Sequence, residues 1–310
     1  QTVLGKFDGA QFTENGVTST FFLKDGRYFV RTDGADGKLA DFELKYSFGI
    51  YPLQQYLVPF ADGRMQALPI AWDARPKGEG GQRWFHIYAG QHVTHQDPLH
   101  WTRLNQNWNY MCAECHSTNL QRNYDAATDH YNTTWTDMAV GCESCHGPGS
   151  NHLAWAQKKT DDPGKGLRIA LDERHGVQWT QDAAGNPARS KLLDSHREVE
   201  TCAVCHSRRQ ALGNNTAPNG SLFDTHDPVL LHPDLYFPDG QQQDEVYVHG
   251  SFIQSKMYQH GVTCSDCHDP HSGKLRATGN ATCTQCHAAP KYDAPAHHMH
   301  TASSPGAQCV

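Results

Sequence analysis

The sequence has no apolar run of the roughly 18 residues that a membrane-spanning helix needs, so no membrane span is expected. It has no recognisable secretory signal at Gln1. Positive charge is scarce: 26 Lys and Arg stand against 33 Asp and Glu, and the formal net charge of −7 argues against a nucleic-acid partner. Apolar residues make up only 37% of the 310 residues, which predicts a thin core if protein alone forms it.

Cysteine and histidine, by contrast, are abundant, with 11 and 21 residues. Ten of the cysteines fall into five copies of Cys-x-x-Cys-His, whereas chance at these frequencies predicts about 0.03 copies. The copies, called the first to fifth motifs below, consist of Cys112, Cys115 and His116; Cys142, Cys145 and His146; Cys202, Cys205 and His206; Cys264, Cys267 and His268; and Cys283, Cys286 and His287. Cys309 is the eleventh cysteine.

This pentapeptide is the attachment site of c-type haem, in which the two thiols bind the haem as thioethers and the histidine binds the iron. Zinc sites, disulfide frameworks and thioredoxin-like CxxC sites also use paired cysteines, but none requires a histidine after every second cysteine. We therefore predict five covalently attached haem c groups. Cys309 either begins a further haem motif, completed beyond Val310, or is a free or intermolecular thiol.

The five motifs use five of the 21 histidines and leave 16, from which the second axial ligands can come. His271 follows His268 on the proximal side of that residue's own haem, so we expect it to bind a neighbouring haem, and His152 has the same relation to His146. The other candidates lie before later motifs, before the first motif or in the tail: His226, His249, His260, one of His95 and His100, and one of His297, His298 and His300. Bis-histidine ligation favours low potentials compared with His/Met ligation.

The spacing of the motifs and the pattern before them predict the architecture. Only 19 residues separate the starts of the fourth and fifth motifs, at Cys264 and Cys283, so those macrocycles should nearly touch. The cysteine-free first part has β-branched and aromatic runs at 17–23 and 27–32, joined at Asp25-Gly26, which is typical of a hairpin.

We predict an α+β fold with little regular structure, in three regions. Residues 1–91 form an antiparallel β meander or sandwich that caps the first haems, and residues 92–290 form a mostly helical and loop multihaem cytochrome c domain. Residues 291–310 are a His-rich tail that leads into the partial motif at Cys309.

Several segments resemble a known family: CESCHGPGSNH, SFIQSKMYQHGVTCSDCHDPHSGKL and the tail HHMH…GAQCV. They resemble exported multihaem c-type cytochromes with doubled CxxCH motifs, which are often fused to tetratricopeptide repeats. More distantly, they are similar to the tetrahaem electron carrier of hydroxylamine oxidation. In that family a motif normally precedes the position of Gln1 and another begins at that of Cys309, so the chain resembles an internal section of a longer cytochrome. The resemblance implies electron transfer.

We predict a conduit that carries electrons between other redox proteins or further haem domains. Because covalent haem attachment takes place outside the cytoplasm, the chain should come from an exported precursor and work in the periplasm or at the cell surface. One alternative is an oxidoreductase that acts on a small nitrogen or sulfur compound at a five-coordinate haem, although no CxxCK motif is present. Another is a subunit of an extracellular filament, in which copies of the chain place their terminal haems together.

Overall fold

The computed structural model describes residues 3–213, 221–243 and 247–309. The chain divides into two units, the first from Gln1 to Ser144 and the second beginning at Cys145. The helix that carries the second motif, Cys142–His146, contains this boundary. The predicted division into cap, haem domain and tail remains a prediction.

The first unit begins with an antiparallel meander in the order β1-β2-β3-β4. Its strands are β1 (Asp8–Glu14), β2 (Val17–Lys24), β3 (Arg27–Asp33) and β4 (Leu39–Leu44). Asp25 and Gly26 both have positive φ, 52° and 72°, as a two-residue hairpin with the right-handed twist of the strands requires. The hairpin predicted at Asp25-Gly26 is confirmed, whereas β1 was not predicted.

A second antiparallel sheet follows, in the order β5-β6-β8-β9 with β7 beside β6. Its strands are β5 (Tyr46–Phe48), β6 (Leu53–Pro59), β7 (Met65–Ala67), β8 (Ile70–Asp73) and β9 (Arg83–His86). Polar and apolar residues alternate over 41–48, a pattern typical of a single strand, but the strand is interrupted at Lys45, where the chain leaves the first sheet for the second. The two sheets thus use opposite ends of one alternating run.

Aromatic side chains fill the space between the two sheets. Phe21 of the first sheet stacks on Trp84 of the second, with ring centroids 3.6 Å apart, and Phe7 meets Trp84 edge-on at 5.5 Å. Tyr56 and Trp101 belong to the same buried cluster. This burial of large apolar area from both sheets makes the region a β sandwich, as predicted.

The first unit ends in short elements that pack on the second sheet. They are the 3₁₀ turn Leu104–Gln106, α1 (Trp108–Met111), β10 (Tyr124–Asp125) and β11 (His130–Tyr131). Trp108 is fully buried in a cluster with Leu57 and Met65 of the sheet, and Asn109 Oδ1 accepts a hydrogen bond from Met65 N at 2.7 Å. The residues just before the first motif are therefore part of the sandwich's second core.

The second unit consists of short helices, small hairpins and loops. After α2 (Cys142–His146), its helices are α3 (Ser150–Lys158), α4 (Arg197–His206), α5 (Leu222–Thr225), α6 (His249–Ile253), α7 (Lys256–Gln259), α8 (Cys264–Cys267), α9 (Ala281–Thr284), α10 (Ala289–Tyr292) and α11 (Pro295–His298). Its two-stranded pairs are β12 (Trp179–Gln181) with β13 (Pro187–Arg189), β14 (Arg209–Ala211) with β15 (His226–Pro228), and β16 (His268–Asp269) with β17 (Lys274–Leu275).

The predicted fold class, α+β with little regular structure, is confirmed. The sequence over 194–209 predicts a helix that carries the third motif, and α4 lies there; the sequence over 251–260 predicts one short helix, and the structure divides this segment between α6 and α7. Among the residues that the structure describes, none of the helices combines the length and the apolar character needed to span a membrane.

Candidate functional site

The first motif is anchored to the second core of the sandwich. Cys112 packs against the cluster that contains Trp108, and burial raises the pKa of its thiol to about 11. Glu114, between the two cysteines, forms a buried ion pair with Arg122 at 2.9 Å. The ring of His116 lies 5.6 Å from that of Phe48. The sheet thus contacts this motif at Cys112 and at the ring of its histidine.

The second motif is aligned by a backbone carbonyl and lies beside a predicted distal ligand. His146 Nδ1 is 2.9 Å from the carbonyl oxygen of Ile169, a contact that leaves Nε2 available to a metal. The ring of His271 lies nearly parallel to that of His146, at an interplanar angle of 18° and a centroid distance of 6.2 Å. The structure therefore brings together two histidines that are 125 residues apart (271 minus 146).

This spacing suits two ligands of one metal ion. An imidazole centre lies about 1.1 Å from each ring nitrogen, and metal–nitrogen bonds are about 2.0–2.1 Å long, so two imidazoles on opposite sides of one ion have centres roughly 6.3 Å apart. The observed 6.2 Å agrees with that value. The separation of the two rings is thus the one expected for two ligands of one iron, and ligation by His271 remains a prediction.

His152 is the other distal candidate that follows a motif histidine closely in the sequence. It has the hydrogen bond typical of a metal-binding histidine. Its Nδ1 lies 2.7 Å from the carbonyl oxygen of Lys165, and its ring stacks on Trp155 with centroids 5.5 Å apart. A carbonyl at Nδ1 fixes the tautomer with a free Nε2.

The third and fourth motifs are in direct contact, although 62 residues separate their starts (264 minus 202). The thiol of Cys202 donates a hydrogen bond to that of Cys264, which raises the pKa of Cys202 and lowers that of Cys264. Burial adds to the rise at Cys202 and opposes the fall at Cys264. The attachment points of the two haems therefore lie side by side.

Buried carboxylates hold these two motifs in place. Glu198 of α4 accepts hydrogen bonds from Ser265, which lies between the two cysteines of the fourth motif. Asp266, the next residue, forms a capping box with Thr263 and accepts a hydrogen bond from Trp179 Nε1 at 3.1 Å. A capping box satisfies backbone donors at a helix start, which explains how a four-residue helix is maintained at α8.

The fifth motif lies next to the fourth and to Cys309. Burial, together with the nearby Asp266 and Cys267, raises the pKa of Cys286 to about 11. Cys283 donates a hydrogen bond to the thiol of Cys309, whose backbone N–H donates to Asn280 Oδ1 at 2.9 Å. The eleventh cysteine is thus held against the fifth motif.

The remaining distal candidates have varied surroundings. His100 is 4% exposed, and both ring nitrogens are engaged, Nε2 with Asp33 Oδ2 at 3.1 Å and Nδ1 with Thr102 Oγ1 at 2.8 Å. Binding a metal through His100 would therefore require one of these bonds to break. His95 lies over Gly37, and His226 is buried, with Nδ1 2.9 Å from Thr225 Oγ1.

Three other predicted ligands lie at or near the surface. His206 and His260 are exposed, at the end of α4 and just after α7. His298 is partly buried, and its Nδ1 accepts a hydrogen bond from His300 N at 3.1 Å. The roles of these histidines as iron ligands remain predictions.

The donor set fits covalent haem. No disulfide joins any of the eleven cysteines, all of which lie in the described part of the chain. Within that part, no three His, Cys, Asp or Glu side chains form a cluster that could hold a metal ion alone, as a zinc site would require. The paired thiols and the facing imidazoles of His146 and His271 are the groups that a c-type haem uses.

Sequence reasoning missed Glu198, Asp266 and Asn280, which position the motifs from outside or between their cysteines. Asp266 could have been found, because Thr-x-x-Asp, which here begins one residue before the fourth motif, is a capping-box pattern. Glu198 carries no such signal, since its partner Ser265 is 67 residues away.

Comparisons with known proteins agree with this chemistry. A family model described as a doubled CXXCH motif matches residues 257–292, and one described as cytochrome c554 and c-prime matches residues 85–147. The chain is 28% identical over 176 residues to the C-type polyheme cytochrome OmcB of Geobacter sulfurreducens, in two strains, over 53% of this chain and 20% of the relative. A solved structure, the outer cell wall cytochrome OcwA, is similar at a TM-score of 0.45 and 17% identity over 78% of this chain and 55% of that chain.

These matches confirm the predicted resemblance to multihaem c-type cytochromes and support haem c as the cofactor. The matched region spans one fifth of the length of the curated relative.

Proposed function

We propose that this chain, which resembles multihaem c-type cytochromes, carries electrons through five haem c groups attached at its five motifs. The observation that carries the proposal is the pair of hydrogen bonds from Ser265 N and Oγ to Glu198, which holds the fourth motif against the helix that carries the third. His271, just after the fourth motif, faces His146 of the second, and Cys267 adjoins Cys286 of the fifth. The fourth motif is thus a junction between three others.

The cysteines and the histidine have the same roles at each motif. A bound haem supplies a one-electron Fe(III)/Fe(II) couple. The cysteines hold the group, and the motif histidine provides one axial nitrogen. We propose that His271 provides the second nitrogen at the second motif. His152 is the next candidate because its Nδ1 is already bound to a carbonyl oxygen. One of His95 and His100, together with His226, His260 and His298, stays in the proposed ligand set.

The cellular setting follows from the attachment chemistry. We place the chain outside the cytoplasm, in the periplasm or at the cell surface, where haem is attached to CxxCH motifs. Its electron donors and acceptors would be other redox proteins or further haem domains, to which a chain with such closely spaced motifs can pass single electrons. Assembly of copies into an extracellular filament is a further proposal, and measuring the particle size against protein concentration tests it.

Haem stoichiometry gives the first test. Fully matured protein should carry five covalent haems, because ten cysteines form five complete motifs. Intact-mass measurement under denaturing conditions checks the number. Cys309→Ala is the matched control and should also carry five, since Cys309 has no complete motif within this sequence. Four or fewer haems in the wild-type protein would refute the attachment sites.

Spin-state counting separates electron transfer from the oxidoreductase alternative. With bis-histidine ligation throughout, all five irons should be low-spin, and the reduced protein should not bind carbon monoxide. Paramagnetic resonance and optical titration, normalised to haem content, measure both properties. Carbon monoxide binding at one haem per chain would instead support a five-coordinate site that acts on a small nitrogen or sulfur compound.

A further inference from the structure

Glu198 connects the third motif to the fourth. It lies on α4 four residues before Cys202, and thus on the same face of the helix one turn earlier. Its Oε1 accepts a hydrogen bond from Ser265 N at 2.6 Å, and its Oε2 accepts one from Ser265 Oγ at 2.8 Å. Because Ser265 directly follows Cys264, one carboxylate of the third motif's helix holds the backbone of the fourth motif.

The same side chain is a buried carboxylate, and no cationic side chain among the residues that the structure describes is paired with it. Glu198 is 5% exposed, and the side-chain contacts described for it, both to Ser265, involve neutral donors. Its backbone N–H donates to Glu173 Oε1 at 2.8 Å, which adds a second carboxylate near the start of α4. Both bonds to Ser265 have the short length of charge-assisted hydrogen bonds.

We infer that Glu198 is a positioning residue that fixes the third and fourth haem sites against each other and lowers the potentials of both irons. A negative charge in a low-dielectric interior stabilises the more positive, ferric state of a nearby iron. Because Glu198 contacts one motif through its own helix and the other through Ser265, its charge acts on both. The inference rests on haem attachment at these two motifs, as proposed above.

The test is Glu198→Gln, which keeps the shape and the acceptor for Ser265 N but removes the charge. The equilibrium constant for reduction should increase at least tenfold at two irons, those of the third and fourth motifs. For a one-electron couple this is a rise of about 59 mV in midpoint potential. Redox titration followed by paramagnetic NMR measures and assigns the shifts. The matched control is Glu200→Gln on the same helix, whose side chain contacts Ser221 and Leu222 of the α5 region, so the fourth iron should not shift.

Glu198→Asp tests the positioning role without changing the charge, because the shorter side chain keeps the carboxylate but moves it away from Ser265. The potentials should stay near those of the wild type, while the magnetic coupling between the third and fourth irons should weaken. If the Glu198→Gln protein cannot be produced, the magnetic coupling measured in Glu198→Asp still tests the positioning role. Unchanged potentials in Glu198→Gln, or unchanged coupling in Glu198→Asp, would overturn the inference while five haems remain attached. A wild-type protein without haem at these motifs would instead refute the proposed function.

Discussion

Replacing His271 with leucine is expected to leave all five haems attached and to convert one iron, that of the second motif, from low-spin to high-spin. Attachment needs only the motif, whereas the second axial ligand comes from elsewhere in the chain. His271 faces His146 at a centroid distance of 6.2 Å, the separation of two imidazoles on one iron. The potential of that iron should rise, because the ferric state loses a nitrogen donor.

The experiment reads out spin state and carbon monoxide binding per chain, with the affected haem assigned by NMR. His232→Leu is the control: this histidine is exposed in the same unit and is not among the predicted ligands. It should leave the low-spin count unchanged. The assignment is wrong if His271→Leu keeps every iron low-spin, or if the altered iron is that of the fourth motif, Cys264 and Cys267.

The sequence predicted the parts of this protein that are determined locally. Asp25-Gly26 specified its hairpin because a two-residue turn with positive φ limits the choice of residues. Likewise, Cys-x-x-Cys-His is a self-contained signal within five residues. The α+β class followed from the contrast between alternating strands before residue 91 and loop-rich sequence after it.

Arrangements that depend on distant partners could not be predicted in the same way. The contact between Cys202 and Cys264 depends on how the segment between them, which includes α5, α6 and α7, closes back on α4, and the local sequence of that segment does not specify this closure. The role of Glu198 depends on that closure as well, since its partner is Ser265. The break at Lys45 is similar: the alternating pattern is continuous, and only the packing of two sheets determines where the chain changes sheet.

Removing the attachment cysteines of the fourth motif should have the largest effect on electron transfer. The double variant Cys264→Ala/Cys267→Ala is expected to carry four haems. Because the fourth motif adjoins the second, third and fifth, its loss should leave the haems of those three motifs without the haem that connects them. Electron exchange among those three sites should slow by more than roughly tenfold, the change that about 1.4 kcal/mol of added barrier causes. Rapid-mixing reduction with a substoichiometric donor measures it as a new slow phase.

Cys112→Ala/Cys115→Ala is the matched control, because it also removes one haem but at a motif within the first unit. Exchange among the sites of the second unit should then keep its wild-type rate. Both variants carry four haems and lose two cysteine side chains, so a difference in exchange rate between them reflects the position of the missing haem and not the number of haems. If both slow the exchange equally, the fourth motif is not a junction, and the contacts of Cys264 and His271 serve folding alone.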